Sequence, residues 1–236
     1  MSRNMPSISD LKWPRIQTEL NEFGCAPVGA ILTSGECDAL VRGYDDEAAF
    51  RSRVVMAQHA FGRGEYKYYA YPLPPLIAEL RRKLYPPLAE IANDWETRVG
   101  NGIRYPSDHK TFLERCHAAG QTRPTPLMLK YGEGDYNCLH QDLYGEIAFP
   151  LQLTVLLSRP EEDFQGGEFV LTEQRPRMQS RVEVVPLSQG EGVIFAVNQR
   201  PVMGRRGVYR VGMRHGVSRL RSGRRFTLGI IFHDAA

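Results

Sequence analysis

Residues 127–142 read Leu127-Met-Leu-Lys-Tyr-Gly-Glu-Gly-Asp-Tyr-Asn-Cys-Leu-His140-Gln-Asp142. A short apolar run, a glycine-bearing turn and a second extended stretch ending in chemically active side chains open a series of similar segments. Phe149–Leu157, Glu168–Thr172, Arg181–Val185, Gly192–Val197 and Phe226–Phe232 repeat the pattern, separated by Gly, Pro and polar turns. Many short strands at this spacing predict a β-sandwich or barrel from Pro126 to the C-terminus.

The sequence before Pro126 has a different texture. Leu11, Ile16, Leu20 and Phe23 fall at near-helical spacing, and Gly24 follows where a helix would stop. Ala26–Leu32 reads as a strand, and Thr33-Ser-Gly-Glu36 resembles a capping box before a helix over 34–43. Glu65–Tyr71 is an aromatic strand or exposed loop. The stretch from Pro74 to Val99 carries the longest helical pattern, which Pro86-Pro87 should kink or divide, and a short helix is expected near 108–118. Helices first and strands later predict a mainly β protein with flanking helices, an α+β arrangement rather than alternating βαβ units. The expected division is a helical N-terminal elaboration over 1–125 packed on a catalytic β domain over 126–236.

Composition narrows the function classes. With 42% hydrophobic and 24% charged residues the 236-residue chain is ordinary globular material. Its longest apolar run, Ala148–Leu157, is far short of the ~20 residues of a membrane span, and Pro150 and Gln152 interrupt it. Met1–Asp10 lacks the apolar core of a signal peptide, so a cytoplasmic location is expected. Cys25, Cys37, Cys116 and Cys138 show no paired spacing and are expected to be free thiols. The net charge of +3 conceals an asymmetry, because Arg200–Arg225 holds nine arginines and no acid.

In an extended strand alternate side chains share a face, so His140 and Asp142 can reach one ion together. His215, before the last strand, supplies a third ligand if the first and last core strands meet. Two imidazoles and a carboxylate leave about three coordination positions open, as Fe(II) oxygenases require. His59, His109, His117 and His233 have no comparable setting and are expected to be surface or core histidines. In the final strand Arg225 and Thr227 share a face, and an arginine fork beside a hydroxyl suits the far carboxylate of a dicarboxylic acid whose other end binds metal.

The HxD motif at His140, the distant His215 and the Arg225-x-Thr227 pair resemble the 2-oxoglutarate/Fe(II) dioxygenase superfamily. Phe164-Gln-Gly-Gly-Glu-Phe and Gly190-Glu-Gly-Val-Ile-Phe resemble two further core segments of these enzymes, so the resemblance spans 126–233. It implies a double-stranded β-helix (jelly-roll) core, iron on His140, Asp142 and His215, and 2-oxoglutarate held by Arg225 and Thr227 with Tyr131 as a hydroxyl donor. Fe(II), 2-oxoglutarate and O₂ would oxidise a C–H bond with release of succinate and CO₂.

The resemblance leaves the substrate open. Tyr131-Gly-x-Gly with His140-Gln-Asp142 is similar to AlkB-type nucleic-acid demethylases, and the C-terminal half resembles a bacterial family predicted to demethylate damaged DNA bases. Leu129 and Tyr144 depart from the AlkB pattern, while Tyr136-x-x-x-His140 and the ten-residue step from His215 to Arg225 resemble prolyl 4-hydroxylases. Arginines suit phosphate, so Arg205, Arg206 and Arg210 are candidates for DNA or RNA contact beside the pocket, and Tyr66 and Tyr68, with Tyr69 and Tyr71, for base stacking. Prolyl, peptide or small-molecule hydroxylation is the alternative. A metal-containing jelly roll that binds an anionic partner without catalysis is the third reading.

Overall fold

The computed structural model describes residues 8–236; the leader reading of Met1–Asp10 falls mostly outside them. In chain order the elements are α1 (Trp13–Phe23), β1 (Cys25–Ala30), α2 (Ser34–Arg42), β2 (Phe50–Val55), β3 (Gly62–Arg63), β4 (Glu65–Tyr69), α3 (Pro75–Arg98) and α4 (His109–Ala118). There follow β5 (Leu127–Tyr131), β6 (Tyr136–His140), β7 (Leu151–Leu156), β8 (Phe164–Gly166), β9 (Phe169–Gln174), β10 (Arg181–Val185), β11 (Glu191–Ala196), β12 (Gln199–Gly204), β13 (Gly207–Val217), β14 (Leu220–Gly223) and β15 (Arg225–Ile230).

Helix starts follow local chemistry. The Thr33 hydroxyl accepts from the Glu36 N–H while the Glu36 carboxylate accepts from the Thr33 N–H, the capping box expected at α2. At α1 the chain leaves through Gly24 in the left-handed region. The long pattern over 74–99 forms one helix that runs through Pro86-Pro87 without dividing. Its apolar residues Ile77, Leu80, Leu84, Leu88, Ile91 and Trp95 recur every three or four positions, and this buried stripe outweighs the missing backbone bonds.

Two antiparallel sheets face each other across a shared core. The larger runs β1-β11-β7-β15-β5-β4-β2, and the smaller runs β10-β9-β13-β6-β3 with β12 on β13. Leu153, Val155, Phe195 and Leu228 of the first and Phe169, Leu171 and Met213 of the second belong to one buried cluster. This is the jelly-roll core of a mainly β fold.

The chain before residue 126 supplies more than helices. β1 extends the large sheet through β11, β4 pairs with β5 and carries β2, and β3 pairs with β6. The aromatic run Glu65–Tyr69 accounts for this, since its large side chains suit a pleated surface beside a core strand. Residues on either side of 126 therefore share both sheets. Among the described residues no helix is long and apolar enough to cross a membrane, and all four cysteines are free.

Candidate active site

β5 and β15 lie side by side, with Arg225 opposite Tyr131 and Thr227 opposite Leu129. In the facing sheet β6 pairs with β13, and His140 stands directly opposite His215. Gly216 permits that approach, because a Cβ there would sit 2.6 Å from the Asn137 carbonyl. The meeting of early and late core strands thus joins the two ends of the motif.

His140, Asp142 and His215 form a group that could hold a metal ion, their ligand atoms lying within 4.8 Å of one another. Nε2 of His140 is 3.4 Å and Nε2 of His215 3.2 Å from the Asp142 carboxylate. The His140 Nδ1–H donates to the Cys138 carbonyl at 2.8 Å, which leaves Nε2 as the atom free to ligate an ion. The Tyr144 hydroxyl donates to Asp142 Oδ1 at 2.6 Å. Burial opposes ionisation of Asp142, but hydrogen bonds from His140 and His215 hold its carboxyl well below the usual range. His140 is also buried against its charge, yet Asp142 raises it above an ordinary histidine; His215 is lowered by burial and by His140. A carboxylate between two imidazoles is a donor set for a divalent ion.

A cavity of about 290 Å³ contains this cluster together with Tyr131, Arg225 and Thr227. Arg225 is 2% exposed. Its Nη1 donates to Thr227 Oγ1 at 3.1 Å, its Nε has no partner, and no acid pairs with it among the described residues. The rings of Tyr131 and Phe164 flank the guanidinium at 5.7 and 5.8 Å. Desolvation lowers its pKa to about 10. Gly167 makes room for it, since a Cβ there would meet Leu220 at 2.5 Å and the Arg225 stem at 3.0 Å.

The candidate substrate residues scatter. Tyr66 lines the cavity, but Tyr68 is buried behind it under the Arg51 guanidinium, 4.5 Å from the ring centroid, so its face is closed to a base. Arg205 and Arg206 sit on the turn joining β12 to β13. From there to His215 the strand runs eight residues, roughly 25 Å at ~3.4 Å per residue, so this turn does not flank the pocket. Arg210 pairs with Glu96 at 3.0 Å. The arginine run is not one patch because alternate positions of a strand face opposite ways: Arg200 and Arg225 point inward and most of the others to solvent.

Sequence reasoning passes over several cavity residues. Asn137 donates to the Tyr131 hydroxyl at 3.3 Å, and Gln152 brings a buried carbonyl oxygen without a partner. Gln152 shows in the sequence as the polar interruption of an apolar strand. Tyr144 shows as the aromatic two residues after Asp142. Nothing local marks Phe169 and Phe195, which also line the cavity.

The family model Oxygenase-NA, described as "Oxygenase, catalysing oxidative methylation of damaged DNA", matches residues 64–235. The chain belongs to this family. It is therefore an oxygenase, and the reading as a non-catalytic binding module falls. Two Mycobacterium tuberculosis proteins, "Uncharacterized protein MT2286" of strain CDC 1551 / Oshkosh and "Uncharacterized protein Rv2227" of strain ATCC 25618 / H37Rv, are each 47% identical over 195 residues, 80% of this chain and 84% of theirs. The fold is similar to a prolyl hydroxylase from Trichoplax adhaerens, solved in complex with a hypoxia inducible factor peptide fragment (TM-score 0.56, 15% identity, 93% of this chain and 87% of that one). It is also similar to a prolyl-4-hydroxylase from Pseudomonas putida (0.52, 11%, 95% and 99%) and a 2OG-Fe(II) oxygenase from Burkholderia pseudomallei (0.50, 14%, 100% and 96%). Fe(II), 2-oxoglutarate and O₂ are the cofactors this family and fold imply, and the His–Asp–His cluster fits the metal.

Proposed function

We propose that this oxygenase removes alkyl groups from nucleic-acid bases, with iron on His140, Asp142 and His215 and 2-oxoglutarate between that iron and Arg225. The observation that carries the co-substrate assignment is Arg225, a buried guanidinium that pairs with no acid among the described residues and lines the same cavity as His140, Asp142 and His215. An unpaired buried charge costs several kcal/mol, and a dicarboxylate bound at one end to the metal offsets it at the other. Arg225 and Thr227 would take the far carboxylate, and Tyr131 would pack beside it. Asp142 and His140 are already oriented by Tyr144 and the Cys138 carbonyl.

When bound, iron supplies O₂ activation coupled to decarboxylation of 2-oxoglutarate to succinate. The remaining residues shape the substrate side. Phe61 and Leu143 are exposed apolar residues lining the cavity, and half-buried Tyr66 lines it with them. Such walls suit a flat base whose polar edge is met by few groups. Hydroxylating an N-methyl C–H leaves a carbinolamine that loses formaldehyde as its C–N bond breaks. Oxygenase chemistry therefore takes a methyl group off a base rather than adding one. The family description, with its reference to damaged DNA, supports a nucleic-acid substrate.

The test is to supply Fe(II), 2-oxoglutarate and N-methylated single-stranded oligonucleotides. Formaldehyde and succinate should appear in equal amounts, and His140→Ala should abolish both. Hydroxyproline from a proline-containing peptide, with no formaldehyde from any oligonucleotide, would move the substrate to protein.

A further inference from the structure

The inner face of the large sheet does not end at the cavity. From Thr227 on β15 it continues through Leu127 and Leu129 on β5 to Tyr66 and Tyr68 on β4, and then to β2, where Ser52 stands opposite Tyr68 and Val54 opposite Tyr66. A register shift between Phe50 and Ser52 sets Arg51 into this edge. Its guanidinium lies over the Tyr68 ring, and Nε donates to the Pro124 carbonyl at 2.9 Å. Stacking and that bond fix the plane of a side chain that otherwise loses much rotamer freedom on binding. Both terminal nitrogens donate to nothing among the described residues. The nearby acid, Asp234, is taken by Arg81 at 2.8 Å, Tyr71 and His117. A second guanidinium belongs to exposed Arg123, the residue before the Pro124 that Arg51 holds; it acts on Arg51 as a like charge and has no acid partner among the described residues. Two rings lead from this pair to the metal cluster: Tyr68 packs on Tyr144 with centroids 6.0 Å apart, and the Tyr144 hydroxyl holds Asp142.

We propose that Arg51 and Arg123 form a phosphate site on the β2 side of the active-site cavity, separated from it by Tyr68 and Tyr144, gripping a backbone phosphate of the strand whose base enters the cavity. This rests on the nucleic-acid reading above. A fixed guanidinium with two free terminal nitrogens, reinforced by a like charge, is the arrangement that a phosphate completes and that no described residue completes. It takes the place of the β12–β13 turn as the source of strand affinity.

The experiment is fluorescence anisotropy of a labelled, undamaged single-stranded oligonucleotide across salt concentrations. For the wild-type chain log K should fall linearly with log salt. Every phosphate that is no longer neutralised makes the slope shallower by about 0.7 for a single strand. The double variant R51Q/R123Q should bind about tenfold more weakly at low salt with a slope shallower by about that amount, while R205Q/R206Q should match wild type. Thermal stabilisation by Mn(II) with 2-oxoglutarate checks that the cavity of each variant is intact; if R51Q abolishes it, R123Q alone, on an exposed position, carries the test. Wild-type binding with an unchanged slope in the Arg51/Arg123 variants overturns the phosphate site and leaves the substrate reading standing. Absence of any oligonucleotide binding by the wild-type chain overturns both.

Discussion

Arg200 and Arg225 come from the same basic stretch and are equally buried, each 2% exposed, yet their surroundings are opposite. Arg200 is complete: Nε and Nη2 donate to Glu173, Nη1 to the Asn21 carbonyl at 2.6 Å, and Nη2 also to the Glu22 carbonyl at 2.9 Å. Arg225 has one hydroxyl and two rings. Arg81, tied to Asp234 and to the Ile231 and His233 carbonyls, matches Arg200 in kind. A buried cation whose donors are all used fastens α1 or the C-terminal tail to the core. One whose donors are left over marks where a ligand belongs.

The largest expected effect breaks the closed case. Glu173→Gln leaves Arg200 buried and uncompensated, which should lower stability by about 3–5 kcal/mol in urea unfolding. Pairing it with Arg200→Met should recover most of that stability, and a double variant as unstable as the single would show that the ion pair is not what closes this region. Next comes pH. Burial lowers both His109 and His233 to about 4. These side chains are neutral in the fold and gain protons on unfolding near pH 6.5, so their contribution is complete above that value and fades as pH falls toward 4. Between pH 7 and pH 5 stability should drop by about 2 kcal/mol per histidine. A flat stability profile over that range would contradict it.

Arg225 should respond in the opposite sense to Arg200. Arg225→Met removes a buried charge that has no acid partner, so the ligand-free protein should be as stable as wild type or slightly more so. The 2-oxoglutarate concentration needed for half-maximal thermal stabilisation, measured with Mn(II), should rise at least about 100-fold, roughly 2.7 kcal/mol. A variant that unfolds easily but still takes 2-oxoglutarate would place Arg225 among the structural clamps.

In the sequence the two kinds of arginine look alike, and the reason is physical. Strand periodicity and the His140-x-Asp142 and Arg225-x-Thr227 steps depend on local alternation, so the β rhythm, the capping box at Thr33 and these two pairs are legible. His215 joins the first pair only through the register of β13 on β6 and is reached in the sequence through the family resemblance. Which arginine meets an acid depends on register between distant segments: Glu173 and Arg200 are joined only because β9 and β12 both lie against β13. For the same reason Arg205 and Arg206 read as pocket residues although they lie at the far end of a long strand. The strands of the N-terminal part are partly hidden, since β2 has no alternation and gains its place through β4 alone.

The smallest expected effect concerns a residue that belongs to neither class. Tyr144 donates its hydroxyl proton to the carboxylate of Asp142, a proposed metal ligand, and burial together with Asp142 raises it well above an ordinary tyrosine, so it stays protonated and keeps donating. It orients Asp142 within the His140–Asp142–His215 group without belonging to that group. Tyr144→Phe keeps the ring that packs on Tyr68 and removes only the hydroxyl. Outer partners of metal ligands are worth about 10–100-fold in metal affinity. Titration with Co(II), followed through its visible absorption, should therefore show weakened binding and an altered band shape, while unfolding without metal stays close to wild type. Equal Co(II) affinity and spectrum in Tyr144→Phe would mean that His140 and His215 orient Asp142 unaided, and that the line of rings from Arg51 to the metal cluster is packing alone.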